Sequence, residues 1–233
     1  MIAALILAAG KGIRFGSGDL PKQFCEIDGR PIFIHSVQTY VGMTEIDRVI
    51  VAAHPQFVDR TRESLLRHEL LARVDVAVGG ETRQVSVQNA GALLGEENLG
   101  PGDTVILHNG ISPNTSAQFI RDCLSALSGC DAVQACVPDT RTVCETDGQF
   151  VKRVLPRARL VYNCEPTIYR GDVFGHILRT QKQQGMTGEM TSDTALELGY
   201  RIRLVHSDYE NIKVTNCRDL DALRAAMSLR KCS

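Results

Sequence analysis

Apolar runs bounded by turn residues alternate along this chain with amphipathic stretches of helical period, the pattern of βα units on a mostly parallel sheet. The runs at 2–8, 48–53, 74–78, 104–108, 132–137 and 202–206 read as strands, and 31–41, 56–66, 83–94, 115–127, 172–182 and 219–228 read as helices. Asn114-Thr115 and Thr82-Arg83 supply helix starts, and Gly129 and Gly199 sit at helix ends. The alternation breaks between 139 and 170. Short extended pieces there flank Thr146-Asp147-Gly148-Gln149, a hairpin-turn signal, so the segment reads as an antiparallel arm or lid. No repeat interrupts the pattern, and the expectation is one α/β domain over 1–233 carrying that arm.

Composition narrows what such a domain binds. A formal net charge of −1 argues against a broad nucleic-acid or membrane surface, so an anionic ligand must be met by local cations in a cleft. Eight cysteines include no Cys-x-x-Cys pair and no His at zinc-ligand spacing, so no metal site is expected. Cys123, Cys130, Cys136 and Cys164 lie in apolar surroundings and read as reduced structural thiols of a cytoplasmic protein. The apolar start 1–9 has no basic residue before it and is too short to span a bilayer, so neither export nor a membrane is expected.

The candidate chemistry begins where the first strand ends. Ala8-Ala9-Gly10-Lys11-Gly12-Ile13-Arg14-Phe15-Gly16, then Pro21-Lys22-Gln23-Phe24, combines flexible backbone with three cations. Glycines at 10, 12 and 16 let backbone N–H groups approach phosphate oxygens, and Lys11, Arg14 and Lys22 can neutralise a triphosphate. Phe15 occupies the third glycine position of a dinucleotide fingerprint, and the Gly-Lys-Ser/Thr of a P-loop is absent. The segment is read as a nucleoside triphosphate site.

Leu7-Ala8-Ala9-Gly10-x-Gly12-x-Arg14-x-Gly16 with Pro21-Lys22-Gln23-Phe24 resembles the signature of the cytidylyltransferases acting on 2-C-methyl-D-erythritol 4-phosphate and on ribitol 5-phosphate. The similarity continues through Gly79-Gly80-Glu81-x-Arg83-x-x-Ser86-Val87, Asp139-Thr140, and Asn211-Ile212-Lys213-Val214-Thr215 followed by Asp219-Leu220. The resemblance implies a Rossmann-like fold, CTP and Mg2+ as donor and cofactor, and a homodimer formed through the arm. It also implies transfer of CMP to a small phosphorylated polyol with release of pyrophosphate, which in the family serves isoprenoid biosynthesis. It makes Arg14, Lys22 and Lys213 catalytic. Ala8, Ala9, Gly10, Gly12, Gly79, Gly80, Arg83 and Ser86 are assigned to the nucleotide, with Arg83 either ordering its loop or touching the ligand and Ser86 competing with a helix-cap role. Asn109, Thr140, Arg157, Glu165 and Thr191 are assigned to the acceptor. Arg153 and Arg159 are alternatives to Arg157, and Ser192 to Thr191.

The chain departs from the family in two places. His108-Asn109-Gly110-Ile111-Ser112-Pro113 stands where the family carries His-Asp-Ala-Ala/Val-Arg-Pro, and Asn163-Cys164-Glu165-Pro166-Thr167 replaces Gln-Thr-Pro-Gln. One carboxylate is lost at Asn109, one cation at Ser112, and one carboxylate is gained at Glu165, and these changes fall on the acceptor half. CTP use with an altered acceptor is the expectation. A non-catalytic nucleotide-binding regulatory protein, or a nucleotidyltransferase using another base, are the alternatives.

Overall fold

The computed structural model describes residues 1–10, 20–185, 191–207 and 211–232. In chain order these form β1 (Ile2–Ala8), a small hairpin of β2 (Glu26–Ile27) and β3 (Arg30–Pro31), α1 (Ile32–Val41), β4 (Arg48–Ala53), α2 (Val58–Arg67), β5 (Val74–Val78) and α3 (Arg83–Ala92). Then come β6 (Thr104–Asn109), α4 (Ala117–Ala126), β7 (Ala132–Pro138), a second hairpin of β8 (Cys144–Thr146) and β9 (Val151–Val154), and β10 (Val161–Arg170). The chain closes with α5 (Gly171–Gln184), α6 (Thr191–Glu197), β11 (Ile202–His206) and α7 (Cys217–Cys232).

Seven strands make one mixed sheet in the order β11-β7-β10-β6-β1-β4-β5. Neighbouring pairs run parallel except where β10 lies antiparallel between β6 and β7. The period-2 alternation of β1 sends Ala4, Ile6 and Ala8 into one core with α1 and α4, and Leu5 and Leu7 into another with α3 and α5. Helices therefore cover both faces, as α/β sheets require. A third cluster of Ile27, Ile32, Ile111, Val214 and Leu223 seats α7 and the segment before it against the β2–β3 hairpin.

The expected strands at 2–8, 48–53, 74–78 and 202–206 coincide with β1, β4, β5 and β11. Several elements differ from expectation, the β2–β3 hairpin among them. Residues 161–170 belong to the central sheet, not to the arm, with Thr167 opposite Leu107 of β6 and Gln134 of β7. The arm contracts to β8 and β9, which turn at Asp147-Gly148 as the hairpin signal specified, with Gly148 at φ 99°. The short helix α6 is the second addition, and Gly199, in the left-handed conformation at φ 81°, terminates it. The helix start expected at Asn114-Thr115 moves to Ser116, whose Oγ accepts the Phe119 N–H at 3.1 Å.

Cys25, Cys123, Cys130, Cys136, Cys144 and Cys164 form no disulfide among the described residues. Burial pushes the Cys123 thiol up to about 12, which keeps it protonated and inert. No helix among the described residues is long and apolar enough to cross a membrane.

Candidate active site

From β1 the chain moves outward to β4 and β5, then returns to place β6 on the other side of β1. Strand order reverses at that point, so the carboxyl ends of β1 and β6 diverge and leave a crevice. A cavity of about 240 Å³ fills it, walled by Leu7 to Gly10, Lys22, Gln23, His54, Gly80 to Arg83, Ser86, Asn109, Ile111 and Lys213.

The loop leaving β1 is tied down by its own downstream motif. Gln23, buried in the 3-10 turn Lys22–Phe24, donates from Nε2 to the carbonyls of Ala8 (2.8 Å) and Gly10 (3.0 Å). Phe24 anchors that turn edge-on to Phe33 of α1 and tilted on Phe57, with the Arg60 guanidinium over its other side. The anchored turn holds Lys22, half-buried, at the cavity wall.

Opposite stands the entry to α3. A side chain at Gly79 would bring its Cβ within 2.5 Å of the Ala9 Cβ and 2.9 Å of the Ala53 carbonyl, so the two loops meet only because position 79 has no side chain. Thr82 caps α3 by accepting the Val85 N–H at 3.2 Å. Ser86 Oγ donates to the Thr82 carbonyl (2.9 Å) and accepts the Gly80 N–H (3.1 Å). Ser86 thus shapes the Gly80 turn while lining the cavity, and the cap role belongs to Thr82. Arg83, half-buried at the helix entry, makes no ion pair among the described residues, and it lines the cavity beside the N-terminus of α3, an end whose N–H groups favour an anion.

The third wall is the end of β6. His108 is buried with Nε2 3.0 Å from the Ser112 carbonyl, so that nitrogen carries the proton, and Nδ1 accepts from the Tyr40 hydroxyl at 3.0 Å. Burial holds the imidazole below its usual range and the phenol well above its own. This neutral relay pins the turn that carries Asn109 and Ile111. Asn109 Nδ2 donates to Glu165 Oε1 on β10. The Glu165 main-chain carbonyl accepts Asn211 Nδ2 (2.5 Å), and Asn211 Oδ1 accepts the Thr115 hydroxyl (3.0 Å). Two residues on, Lys213 reaches the cavity, while the Val214 N–H bonds the Ile111 carbonyl at 2.9 Å. Lys213 has no ion pair among the described residues and stays available to an anion.

The structure therefore brings together Ala8, Ala9, Gly10, Lys22, Gly80, Arg83, Ser86, Asn109 and Lys213 from distant parts of the chain. Gly79 stands directly behind that wall. Arg14 and Gly12, and with them Lys11 and Gly16, lie outside the described residues. Glu165 is buried behind Asn109, and Thr191 is buried at the start of α6. Thr140 and Arg157 are exposed at the base of the arm, where Arg157 Nη1 donates to the Thr140 carbonyl at 3.3 Å. Within one chain these acceptor candidates do not share the cavity wall. Gln23, His54 and Ile111 join the cavity wall with no site role expected from the sequence, and Thr82 joins it as the helix start expected there. Gln23 was within reach because it sits inside the quoted Pro-Lys-Gln-Phe motif. His54 and Ile111 carry no local signal and are placed by the sheet.

A family model described as IspD: 2-C-methyl-D-erythritol 4-phosphate cytidylyltransferase matches residues 2–230. A ribitol-5-phosphate cytidylyltransferase of Streptococcus pneumoniae is 30% identical over 231 residues, covering 94% of this chain and 96% of that protein. Among solved structures, the 2-C-methyl-D-erythritol 4-phosphate cytidylyltransferase of Francisella tularensis superposes with a TM-score of 0.80 at 23% identity, over 97% of this chain and 99% of the other. The 4-diphosphocytidyl-2C-methyl-D-erythritol synthase of Anaerococcus prevotii gives 0.79 at 22% identity, over 97% and 98%. These likenesses establish the fold, and the full-length family match with the S. pneumoniae relative establishes more: the chain belongs to the IspD family of cytidylyltransferases.

Proposed function

We propose that this protein transfers CMP from CTP to a small phosphorylated polyol of the ribitol phosphate or methylerythritol phosphate kind. The observation that carries the reading is the cavity itself, where the loop after β1, Lys22, the Gly80–Ser86 turn and Lys213 converge. Backbone N–H groups and fixed cations meet there at the carboxyl end of a parallel sheet, as phosphate binding requires.

In the proposed reaction an acceptor phosphate oxygen forms a bond to the α-phosphorus of CTP, and the bond to the bridging oxygen of the β-phosphate breaks. The electron pair leaves with pyrophosphate. The protein's task is to hold the two anions in line and offset the charge that builds on the α-phosphate. Lys22 and Lys213, with Arg14 assigned by resemblance, supply that charge, and Arg83 with the end of α3 helps hold the nucleotide. No cluster of three acidic, His or Cys side chains able to hold a metal occurs among the described residues. An Mg2+ would arrive on the triphosphate, whose oxygens would offset its charge while retained waters complete its coordination. Arg157, Thr140 and Thr191 do not line the cavity of their own chain. Contribution of Arg157 across a homodimer is the reading that joins it to the acceptor phosphate.

The test is pyrophosphate release from CTP with ribitol 5-phosphate and 2-C-methyl-D-erythritol 4-phosphate offered separately, alongside binding of all four nucleoside triphosphates. Selective CTP binding with acceptor-dependent release is expected. Equal affinity for the four nucleotides would sink the cytosine assignment, and CTP binding without release for either acceptor would sink the acceptor assignment.

A further inference from the structure

Asn109 and Glu165 face one another across the β6–β10 pair, one at the cavity wall and one buried behind it. A carboxylate oxygen facing an amide accepts its hydrogen bond, so the group Asn109 turns toward Glu165 is its NH2. The amide's other atom, Oδ1, has no hydrogen bond among the described residues, and Asn109 lines the cleft. Glu165 is only 7% exposed, and its second oxygen, Oε2, is buried without a partner. The Asn109 amide is thus the one hydrogen bond made to the buried Glu165 side chain among the described residues, and the contact fixes the amide's orientation. The same residue's main-chain carbonyl holds Asn211, two positions before Lys213.

We propose that Glu165 is a positioning residue that locks Asn109 with its carbonyl oxygen toward the cleft, so that this wall recognises a hydroxyl of the acceptor. The inference rests on the cytidylyltransferase reading and deepens it. The carboxyl group is set one layer back, and the surface shown to the substrate is a hydrogen-bond acceptor. Such a surface suits a polyol O–H beside a phosphate and disfavours a group that can only accept. The two departures from the family pattern, at 109 and 165, are in this view one paired exchange.

Paired substitution tests this. Glu165→Gln keeps an oxygen that can accept the Asn109 amide and is expected to leave the KM for ribitol 5-phosphate or 2-C-methyl-D-erythritol 4-phosphate within about threefold of wild type, whereas Glu165→Ala raises it about tenfold or more. The KM for CTP moves little in either. Asn109→Asp sets two carboxylates face to face, so its acceptor KM rises by a similar factor and recovers as pH falls and one proton is shared. The double variant Asn109→Asp/Glu165→Gln restores the hydrogen bond with its polarity reversed and returns the KM to within about threefold of wild type. Additive effects in the double variant, a Glu165→Gln as impaired as Glu165→Ala, or an equal rise in the CTP KM would each overturn the proposal. If wild type turns over neither acceptor, the fault lies with the acceptor assignment, and the Asn109 side-chain amide resonances decide instead. A resonance pair retained in Glu165→Gln and displaced in Glu165→Ala supports the lock, and a pair indifferent to both overturns it.

Discussion

Lys22 and Lys213 reach the same cavity from opposite ends of the chain, one on a turn anchored by Phe24, the other on a segment bonded to Ile111. Neither supports the core, so truncation should separate chemistry from folding. Lys22→Ala is expected to lower kcat/KM by about two orders of magnitude or more, the scale for losing one group aimed at developing charge. Its thermal unfolding midpoint should stay within a few degrees of wild type. Near-normal turnover in that variant would remove Lys22 from the mechanism. Gly79 makes the opposite kind of residue-scale claim. Gly79→Ala places a Cβ 2.5 Å from Ala9 and 2.9 Å from a main-chain carbonyl, so the two nucleotide loops must part. A CTP KM raised about tenfold or more is expected, with overpacking of roughly 1–3 kcal/mol showing as lower stability. An unchanged CTP KM would mean that the close approach of these loops does not shape the site.

Among the elements, the end of β6 is set by a buried polar relay, and its protonation gives a pH signature. Burial keeps His108 below its usual range in the folded protein. As pH falls below about 6.5, the unfolded chain takes up a proton at this residue that the folded chain declines, so stability is present above that pH and is lost progressively below it. His35, also depressed mainly by burial, adds to the same slope. Urea unfolding between pH 5 and 7.5 should show stability rising with pH, and His108→Gln should flatten the curve by His108's share. An unaltered slope in that variant would refute the assignment. The same elements show what pattern reading can recover. β1, β4 and β5 are apolar runs ended by turns, and their bounds follow from composition alone. β10 resists such reading because Glu165-Pro166 interrupts its apolar run, and its place between β6 and β7 depends on partners far away in sequence. The site divides in the same way. Gly-rich and cationic motifs announce the nucleotide half locally. The bond between Asn109 and Glu165 joins residues 56 positions apart and exists only once β10 is in the sheet.

At the scale of the whole molecule the arm is the unexplained investment. β8 and β9 form a two-stranded hairpin apart from the main sheet, and such a ribbon is marginal in water on its own. Phe150, Val151 and Val154 are 64%, 61% and 59% exposed along it, an apolar strip that a monomer gains nothing by displaying. At the base of the arm, Arg157 bonds Thr140 and does not line its own chain's cavity. Both features fit an arm that embraces a second copy and delivers Arg157 to the acceptor side of the partner's cavity. Phe150→Asp with Val154→Asp should then convert a dimer in sedimentation to a monomer, because two charges would have to be buried unpaired. The monomer should bind CTP with little change, since every described group assigned to the nucleotide comes from one chain. Its acceptor KM should rise to match that of Arg157→Ala in the intact dimer. A wild-type protein that sediments as a monomer, or a monomeric variant with normal acceptor kinetics, would show that the site is complete within one chain and would leave Arg157 without a catalytic partner.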